Sequence, residues 1–251
     1  MRCRRYLLLI SIMVIWQVLS YLGIIPKYRV PSPLDVILGV RDLLLVGLPP
    51  GYRLPQHIVA SLNRVFWGFL FAATIGITLG ITMGWSRRLR VMVDPVIEIL
   101  RPVPPLAWIP ISILWFGIGI KSAAFIIFLG AFFPILLSTI GGVVSVDVVL
   151  VEASRSLGAK ERDVLLKVLV PGAMPSILTG LRIGLGIGWM TLVAAEFTGV
   201  KTGYGLGYMI MTARDIQRPD EILAGMAIIG LLGYLMDTVL RVAEGKLLRW
   251  R

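Results

Sequence analysis

Six apolar runs dominate this chain, and each is long enough to cross a lipid bilayer as an α-helix. They cover approximately residues 7–25, 65–84, 102–120, 122–144, 177–197 and 222–240. A helix needs about 20 apolar residues to cross roughly 30 Å of hydrocarbon. The chain is 57% hydrophobic and its mean hydropathy is +0.87, well outside the usual composition of soluble domains. We therefore predict an all-α, integral membrane helical bundle with about six transmembrane helices.

A single transmembrane domain is predicted over residues 1–251. The longest segment between apolar runs, 26–64, contains several prolines and is too short to fold independently. We divide the domain into residues 1–64, a retained anchor helix with an outer Pro-rich segment, and residues 65–251, a core that contains a coupling loop at 145–176. An apolar stripe in residues 34–46 predicts a helix that either caps the outer mouth or packs on the bundle.

The formal net charge is +11, and its distribution follows the predicted membrane topology. If both termini are cytoplasmic, most Lys and Arg residues fall in cytoplasmic segments, as the positive-inside rule expects. This assignment places Arg101 at the cytoplasmic side. The basic charge is thus topological, and nucleic-acid binding is not predicted.

The residue inventory argues against several classes of function. One cysteine, Cys3, and one histidine, His57, exclude a disulfide and a His/Cys metal cluster. No G-x-x-x-x-G-K-[ST] phosphate loop occurs, so nucleotide should bind to another chain. Ion-coupled carriers usually keep carboxylates at mid-membrane, whereas Glu196 and Asp237 are expected near helix ends.

Two rows of glycines at four-residue spacing predict close helix packing. The rows are Gly76, Gly80 and Gly84, and Gly180, Gly184 and Gly188. Thr74, Thr78 and Thr82 form a parallel row, for which two interpretations stay open. Their hydroxyls either bond to the carbonyls of their own helix or line a polar pathway.

The third apolar run begins with four prolines in residues 101–110 and cannot form a uniform helix. Irregular backbone at membrane depth needs protein or water to satisfy its polar groups. This indicates either a functional bend or a kinked entry to the span. The candidate residues of a translocation path or gate are Pro104, Pro105, Trp108, Met190 and Glu196; pairing with a nearby cation is the alternative for Glu196.

A polar segment, residues 152–171, interrupts the apolar sequence. Helices are predicted at 147–157 and 161–169, separated by Gly158, because glycine adopts a left-handed conformation at little cost. Pro171 and Gly172 are expected to end the second helix before the next span. The segment is either a solvated connector or a surface that another protein binds.

This segment resembles a motif of the permease subunits of bacterial and archaeal ABC importers. That motif reads Glu-Ala-Ala, three residues, Gly, nine residues, Ile, one residue, Leu-Pro. Glu152, Ala153, Gly158 and Pro171 match in spacing, whereas Ser154, Val168 and Val170 replace Ala, Ile and Leu. Residues 61–64, 101–110, 114–117, 194–197 and 203–208 are similar to the nitrate, sulfonate, taurine and bicarbonate branch.

The resemblance implies a type I ABC importer permease fold in the cell membrane of a bacterium or archaeon. It implies a second permease copy that forms a homodimer with this chain, two cytoplasmic ATP-binding subunits that hold ATP and Mg²⁺, and an extracytoplasmic substrate-binding protein. No cofactor or catalytic residue is expected in this chain. The implied ATPase-coupling residues are Glu152, Ala153, Ser154, Gly158, Ala159, Lys160 and Pro171. A small oxyanion such as sulfonate, nitrate or taurine is the expected solute; an ion-coupled secondary transporter or a non-transporting scaffold is the alternative.

Overall fold

A computed structural model describes residues 2–26, 28–198 and 204–248, and in these ranges the chain is predominantly helical. The side chain of Cys3 and residues 199–203, which include Gly203 of one quoted motif, lie outside the described part. The helices are α1 (Arg2–Tyr21), α2 (Pro33–Leu45), α3 (Leu54–Trp85), α4 (Arg87–Leu100), a 3₁₀ turn (Pro105–Trp108), α5 (Ile109–Phe116), α6 (Ile120–Val144), α7 (Val148–Ser156), α8 (Glu161–Val164), a π-turn (Leu165–Leu169), α9 (Val170–Thr198), α10 (Leu206–Asp215) and α11 (Pro219–Leu247).

Four helical segments are long and apolar enough to cross a membrane: Leu54–Trp85, Ile120–Val144, Glu161–Phe197 and Pro219–Leu247. A fifth candidate is the pair Arg87–Leu100 and Pro105–Phe116, which is bent by 85°. The run at 102–120 is therefore not a straight span, because its prolines confine helix to Pro105–Phe116. The predicted multi-pass helical architecture is confirmed.

The chain forms two compact units, each of which is described by itself. The first contains Met1–Ser61 and Lys201–Leu232, and the second contains Leu62–Val200 and Gly233–Arg251. In the first unit, Ser32 and Asp35 form a capping box that starts α2. A Cβ on Gly39 would lie 2.9 Å from the Asp220 carbonyl oxygen, so α2 packs closely on the start of α11.

Charged and polar contacts join distant segments of the first unit. Arg218 pairs with Asp42 and Asp220 at 3.0 and 2.8 Å. Hydrogen bonding to Asp220 raises the pKa of the Arg218 guanidinium, which therefore stays protonated. The buried His57 accepts a hydrogen bond at Nδ1 from the Gly205 amide, 3.0 Å away. This contact gives His57 a structural role in the first unit.

Helix α6 is the central element of the second unit, because both glycine rows pack against it. A Cβ on Gly80 would lie 2.6 Å from Thr139 Cβ. A Cβ on Gly180 would lie 2.6 Å from Ser138 Cβ. Such distances leave no room for a side chain. The glycines therefore allow the backbones of α3 and α9 to come into close contact with α6. The predicted packing role of the two rows is confirmed.

The threonine row on α3 is bonded within its own helix. Thr74, Thr78 and Thr82 donate hydroxyl hydrogen bonds to the carbonyls four residues earlier, over 2.8, 2.7 and 3.0 Å. The first of the two sequence-based interpretations is therefore confirmed.

A buried ion pair links α3 to α9. Arg64 Nη1 donates to Glu196 Oε1, and the side chains are only 2% and 1% exposed. A second network joins Arg182 of α9 to Asp237 and Glu244 of α11, each at 3.2 Å. These charges are compensated inside the second unit, which lowers the cost of placing them in apolar surroundings.

We expect Gly80→Ala to lower the thermal unfolding midpoint of the purified chain, because the added methyl group overlaps Thr139. Overpacking of this kind costs about 1–3 kcal/mol. Gly186→Ala is the matched control, since nothing lies within 4 Å of a Cβ at that position of α9. Equal midpoints for both variants would contradict the packing argument.

Removal of one partner of the Arg64–Glu196 pair should reduce the yield of folded protein. Arg64→Met or Glu196→Leu leaves a buried charge without its partner, at a cost of about 3–5 kcal/mol. We expect the double variant to recover much of the loss, as measured by monodisperse yield and thermal midpoint in detergent. Arg214→Ala, which removes one side of an exposed pair with Asp215, should have no measurable effect. If the two single-variant losses of thermal midpoint and yield simply add in the double variant, Arg64 and Glu196 do not stabilise each other.

Candidate coupling loop and translocation path

The first helix of the coupling loop has well-defined ends. The Asp147 side chain accepts a hydrogen bond from the Val149 amide over 2.9 Å and caps α7. Beyond α7, Gly158 has φ +84°, a left-handed conformation that strains residues with a Cβ. Its own surroundings are open, with nothing within 4 Å of a built Cβ. Glycine is therefore required at position 158 by the left-handed backbone conformation and not by steric contact with neighbouring residues.

An ion pair holds the two sides of this turn together. Arg155 Nε and Nη2 donate to the two carboxylate oxygens of Glu161, each over 3.1 Å. The Arg155 guanidinium also lies 5.7 Å from the centre of the Trp85 ring, at the end of α3. This bidentate geometry fixes the angle between α7 and α8, although its exposure limits its energetic value.

Beneath the loop lies an apolar core shared with the ends of the membrane helices. Val151 of α7 and Val164 of α8 are buried with Val143 of α6 and Ile177 of α9. Ile77, Ile81 and Trp85 of α3 pack against the same cluster. Since a close-packed core resists relative displacement, the loop and these helix ends should move together.

The helix that follows the turn does not end at Pro171, contrary to the prediction. Helix continues from Glu161 through Phe197, and Pro171 is at the second position of α9. The π-turn Leu165–Leu169 explains the difference: the Val170 amide bonds to Leu165 O, five residues earlier. The wider turn accommodates a proline that has no amide hydrogen and would clash within an unbroken α-helix.

Four of the seven predicted coupling residues are exposed. Glu152, Ala153, Gly158 and Lys160 are exposed, whereas Ser154, Ala159 and Pro171 are half-buried. Ala159 packs against the apolar core beneath the loop. Large apolar side chains are exposed beside these residues, with Val148 61%, Val149 63%, Leu150 57% and Leu157 89% exposed. Exposed apolar side chains at this density are typical of a protein-binding surface.

The predicted path residues are only partly brought together. Pro105 and Trp108 line a cavity of about 430 Å³ beside the proline-rich bend. Pro104 precedes the 3₁₀ turn and is exposed, without lining that cavity. Met190 is 74% exposed on α9, and Glu196 is bound to Arg64. The path assignment of these residues stays a prediction, and the contact of Glu196 is the cation pairing given as its alternative.

The path residues predicted from the sequence do not include Arg101, which the topology prediction places among the basic residues on the cytoplasmic side. It lines the same cavity as Pro105 and Trp108. Its position before Pro102 and Pro104 was the available signal, because prolines at a span entrance displace the flanking residues from a regular helix. The bend direction that carries Arg101 to the cavity depends on the packing of α4, α5 and α6.

Three comparisons with known proteins agree with this architecture. Residues 72–249 match the family described as binding-protein-dependent transport system inner membrane component. The chain is 46% identical over 247 residues to a protein of Methanocaldococcus jannaschii named as an ABC transporter permease, covering 95% of this chain and 88% of that one. It is 41% identical over 242 residues to the taurine transport system permease protein of Escherichia coli, covering 95% and 86%.

Among solved structures, an inward-facing methionine ABC transporter contains a chain of the same fold. The TM-score is 0.65 at 23% identity, and the alignment covers 77% of this chain and 95% of that chain. The confirmed resemblance is thus one of sequence and of fold, and such permeases are transport subunits whose ATP is hydrolysed by a separate subunit. This chain belongs to the binding-protein-dependent transport system inner membrane component family, as a permease subunit of an ABC importer.

Proposed function

We propose that this permease carries a small oxyanion, such as a sulfonate, nitrate or taurine, and that its coupling loop docks on a cytoplasmic ATPase. The observation that carries the docking proposal is the combination of an exposed apolar surface on α7 with an apolar core beneath it. Leu157 is 89% exposed, whereas Val151 is 9% exposed and packed with Val143 and Ile177. One face is available to a partner and the other is fixed to the membrane helices.

This arrangement supports mechanical coupling by rigid-body movement. When two ATPase subunits close on ATP and Mg²⁺, a helix bound to their surface is displaced with them. Because α7 shares its core with α3, α6 and α9, the displacement passes to the ends of those helices. The spans then rock between inward-open and outward-open states. The bidentate pair between Arg155 and Glu161 bridges the two sides of the turn.

The remaining partners follow from the same proposal. A second permease copy, identical to this chain, pairs with it around the path, and each copy engages one ATPase subunit. An extracytoplasmic binding protein delivers the solute. Docking requires the coupling loop on the cytoplasmic side, which agrees with the basic residues of that segment and with cytoplasmic N- and C-termini.

Support for an oxyanion comes from the relatives and not from the fold. The taurine permease of Escherichia coli serves a solute that carries a sulfonate group, and its sequence is 41% identical to this chain. The ion-coupled carrier and the scaffold are disfavoured, because family membership places this chain in ATP-driven import.

Gly158→Val should abolish transport while the assembled complex still hydrolyses ATP. A β-branched residue strains the left-handed backbone and rotates α7 relative to α8. The measurement is solute uptake per ATP hydrolysed in reconstituted vesicles. Gly158→Asn is the matched control, since asparagine tolerates this conformation better than other residues with a Cβ. Full solute-dependent transport by Gly158→Val would remove the main support for a mechanical role of this turn.

Leu157→Asp should prevent the ATPase subunit from co-purifying with tagged permease, because docking would bury the new carboxylate. A buried unpaired charge costs several kcal/mol, so we expect at least a tenfold loss of recovered ATPase. Val46→Asp provides the comparison: Val46 is 73% exposed but follows α2 in the predicted outer segment. If both variants retain equal amounts of ATPase, Leu157 is not at the interface.

A further inference from the structure

The cavity beside the proline-rich bend is level with the middle of the membrane helices. Phe125, Leu129, Phe133 and Leu137 line it from α6, which extends from Ile120 to Val144. Ile187 lines it from α9, within the apolar part of that helix. The 85° bend between Arg87–Leu100 and Pro105–Phe116 brings the proline-rich segment to this depth. Broken helices at the midplane are a recurrent setting for solute sites in transporters.

Arg101 is the one charged residue among those that line this cavity. In the described part of the chain, its guanidinium makes no hydrogen bond or ion pair. Glu98 lies one turn earlier on α4, but no ion pair joins the two. By contrast, Arg64 of α3 and Arg182 of α9 are both paired with carboxylates. Arg101 thus differs from them in having its charge uncompensated.

Its position at the end of α4 explains only part of this arrangement. Arg101 is the C-cap of α4, where the helix dipole favours a cation. That interaction is available to any basic residue directed toward water, and it does not require the side chain to line a mid-span cavity. Arg101 is exposed, so its unpaired guanidinium is available to an anion that enters the otherwise apolar cavity.

We propose that Arg101 binds the oxyanion group of the solute as it passes through this cavity. The guanidinium presents several N–H donors in a planar fork that matches two oxygens of a sulfonate, nitrate or carboxylate-like group. A cavity of about 430 Å³ accommodates such a small anion with some of its water. Pro105 and Trp108 provide apolar walls that strengthen the electrostatic attraction. That the anion bound by Arg101 is a transported solute rests on the proposed function.

The attraction of anions into the cavity by Arg101 can be tested without knowing the solute. In a Cys3→Ser background, which removes the native cysteine, Leu129→Cys places a thiol on the α6 wall of the cavity. Full-length protein in membranes is treated with a negatively charged sulfonatoethyl methanethiosulfonate or a positively charged trimethylammonioethyl one. Arg101 should make the ratio of anionic to cationic reaction rates about tenfold higher than in Arg101→Gln, because a nearby unit charge is weakly screened there. The ratio cancels any effect of Arg101 on thiol reactivity.

Arg101→Lys should retain most of the anion preference, and Arg88→Gln should leave it unchanged, since Arg88 lies on α4 outside this cavity. Labelling by a neutral methyl reagent checks that each variant is inserted and folded. An unchanged ratio in Arg101→Gln would overturn the proposal. So would the failure of both charged reagents to react where the neutral reagent does, because a solute site must be open to aqueous anions.

Transport provides the second arm, with taurine as the probe in vesicles that contain the assembled importer. Arg101→Gln should raise the KM for taurine about tenfold or more, with partial rescue by Arg101→Lys. If the unmodified complex shows no ATP-driven taurine uptake, the proposed solute is wrong. If that complex transports taurine and Arg101→Gln does so with the same KM, the role of Arg101 is wrong.

Discussion

The close approach of α3 and α9 to α6 is the interaction on which the second unit depends. In a bilayer, lipid tails are as apolar as leucine, so burial of apolar side chains supplies little drive for helices to associate. Close contact between helix backbones must supply this driving force instead. Glycines on α3 and α9 face Ile135, Thr139 and Ser138 of α6, where a Cβ would overlap them. Helix α6 is thereby held on two sides along much of its length.

In the proposed mechanism, the coupling loop acts on this close-packed group of helices. Val151 and Val164 are buried with residues from the ends of α6 and α9, and the side chains of α3 pack on the same cluster. In the proposed mechanism, a loop attached to one span would deform only that span. A loop attached to three spans displaces them together, because the close packing between the helices opposes independent movement. The same packing explains why the outer face of α7 can be apolar and exposed without destabilising the unit.

Three arginines of the second unit differ in how their charge is compensated. Arg64 and Glu196 neutralise each other in a fully buried pair, and Arg182 is bound by two carboxylates of α11. Among the described residues, Arg101 has no such partner, and it lines a cavity. A paired charge costs little once formed and holds helices in place, whereas an uncompensated one is useful only where an anion can reach it. This contrast separates the structural charges from the candidate solute contact.

Some of these features could be read directly from the sequence because they depend on local chemistry or on fixed spacing. The apolar runs predicted the membrane helices, the four-residue spacing of glycines predicted their contact faces, and Gly158 predicted the left-handed turn after α7. The motif at 152–171 indicated the family before any geometry was known. Each of these signals comes from neighbours along the chain, whose relative positions a helix fixes.

Tertiary structure alone decided the rest. The continuation of helix through Pro171 depends on a π-turn, and no local propensity distinguishes that turn from a helix end. The pairing of Glu196 with Arg64 joins residues far apart in sequence, so it became visible only once α3 and α9 were placed side by side. The bend after α4 places Arg101 beside a cavity that residues of α6 and α9 also line. Sequence determined which segments form helices; packing decided where their charged and kinked residues face, because those orientations depend on contacts between helices.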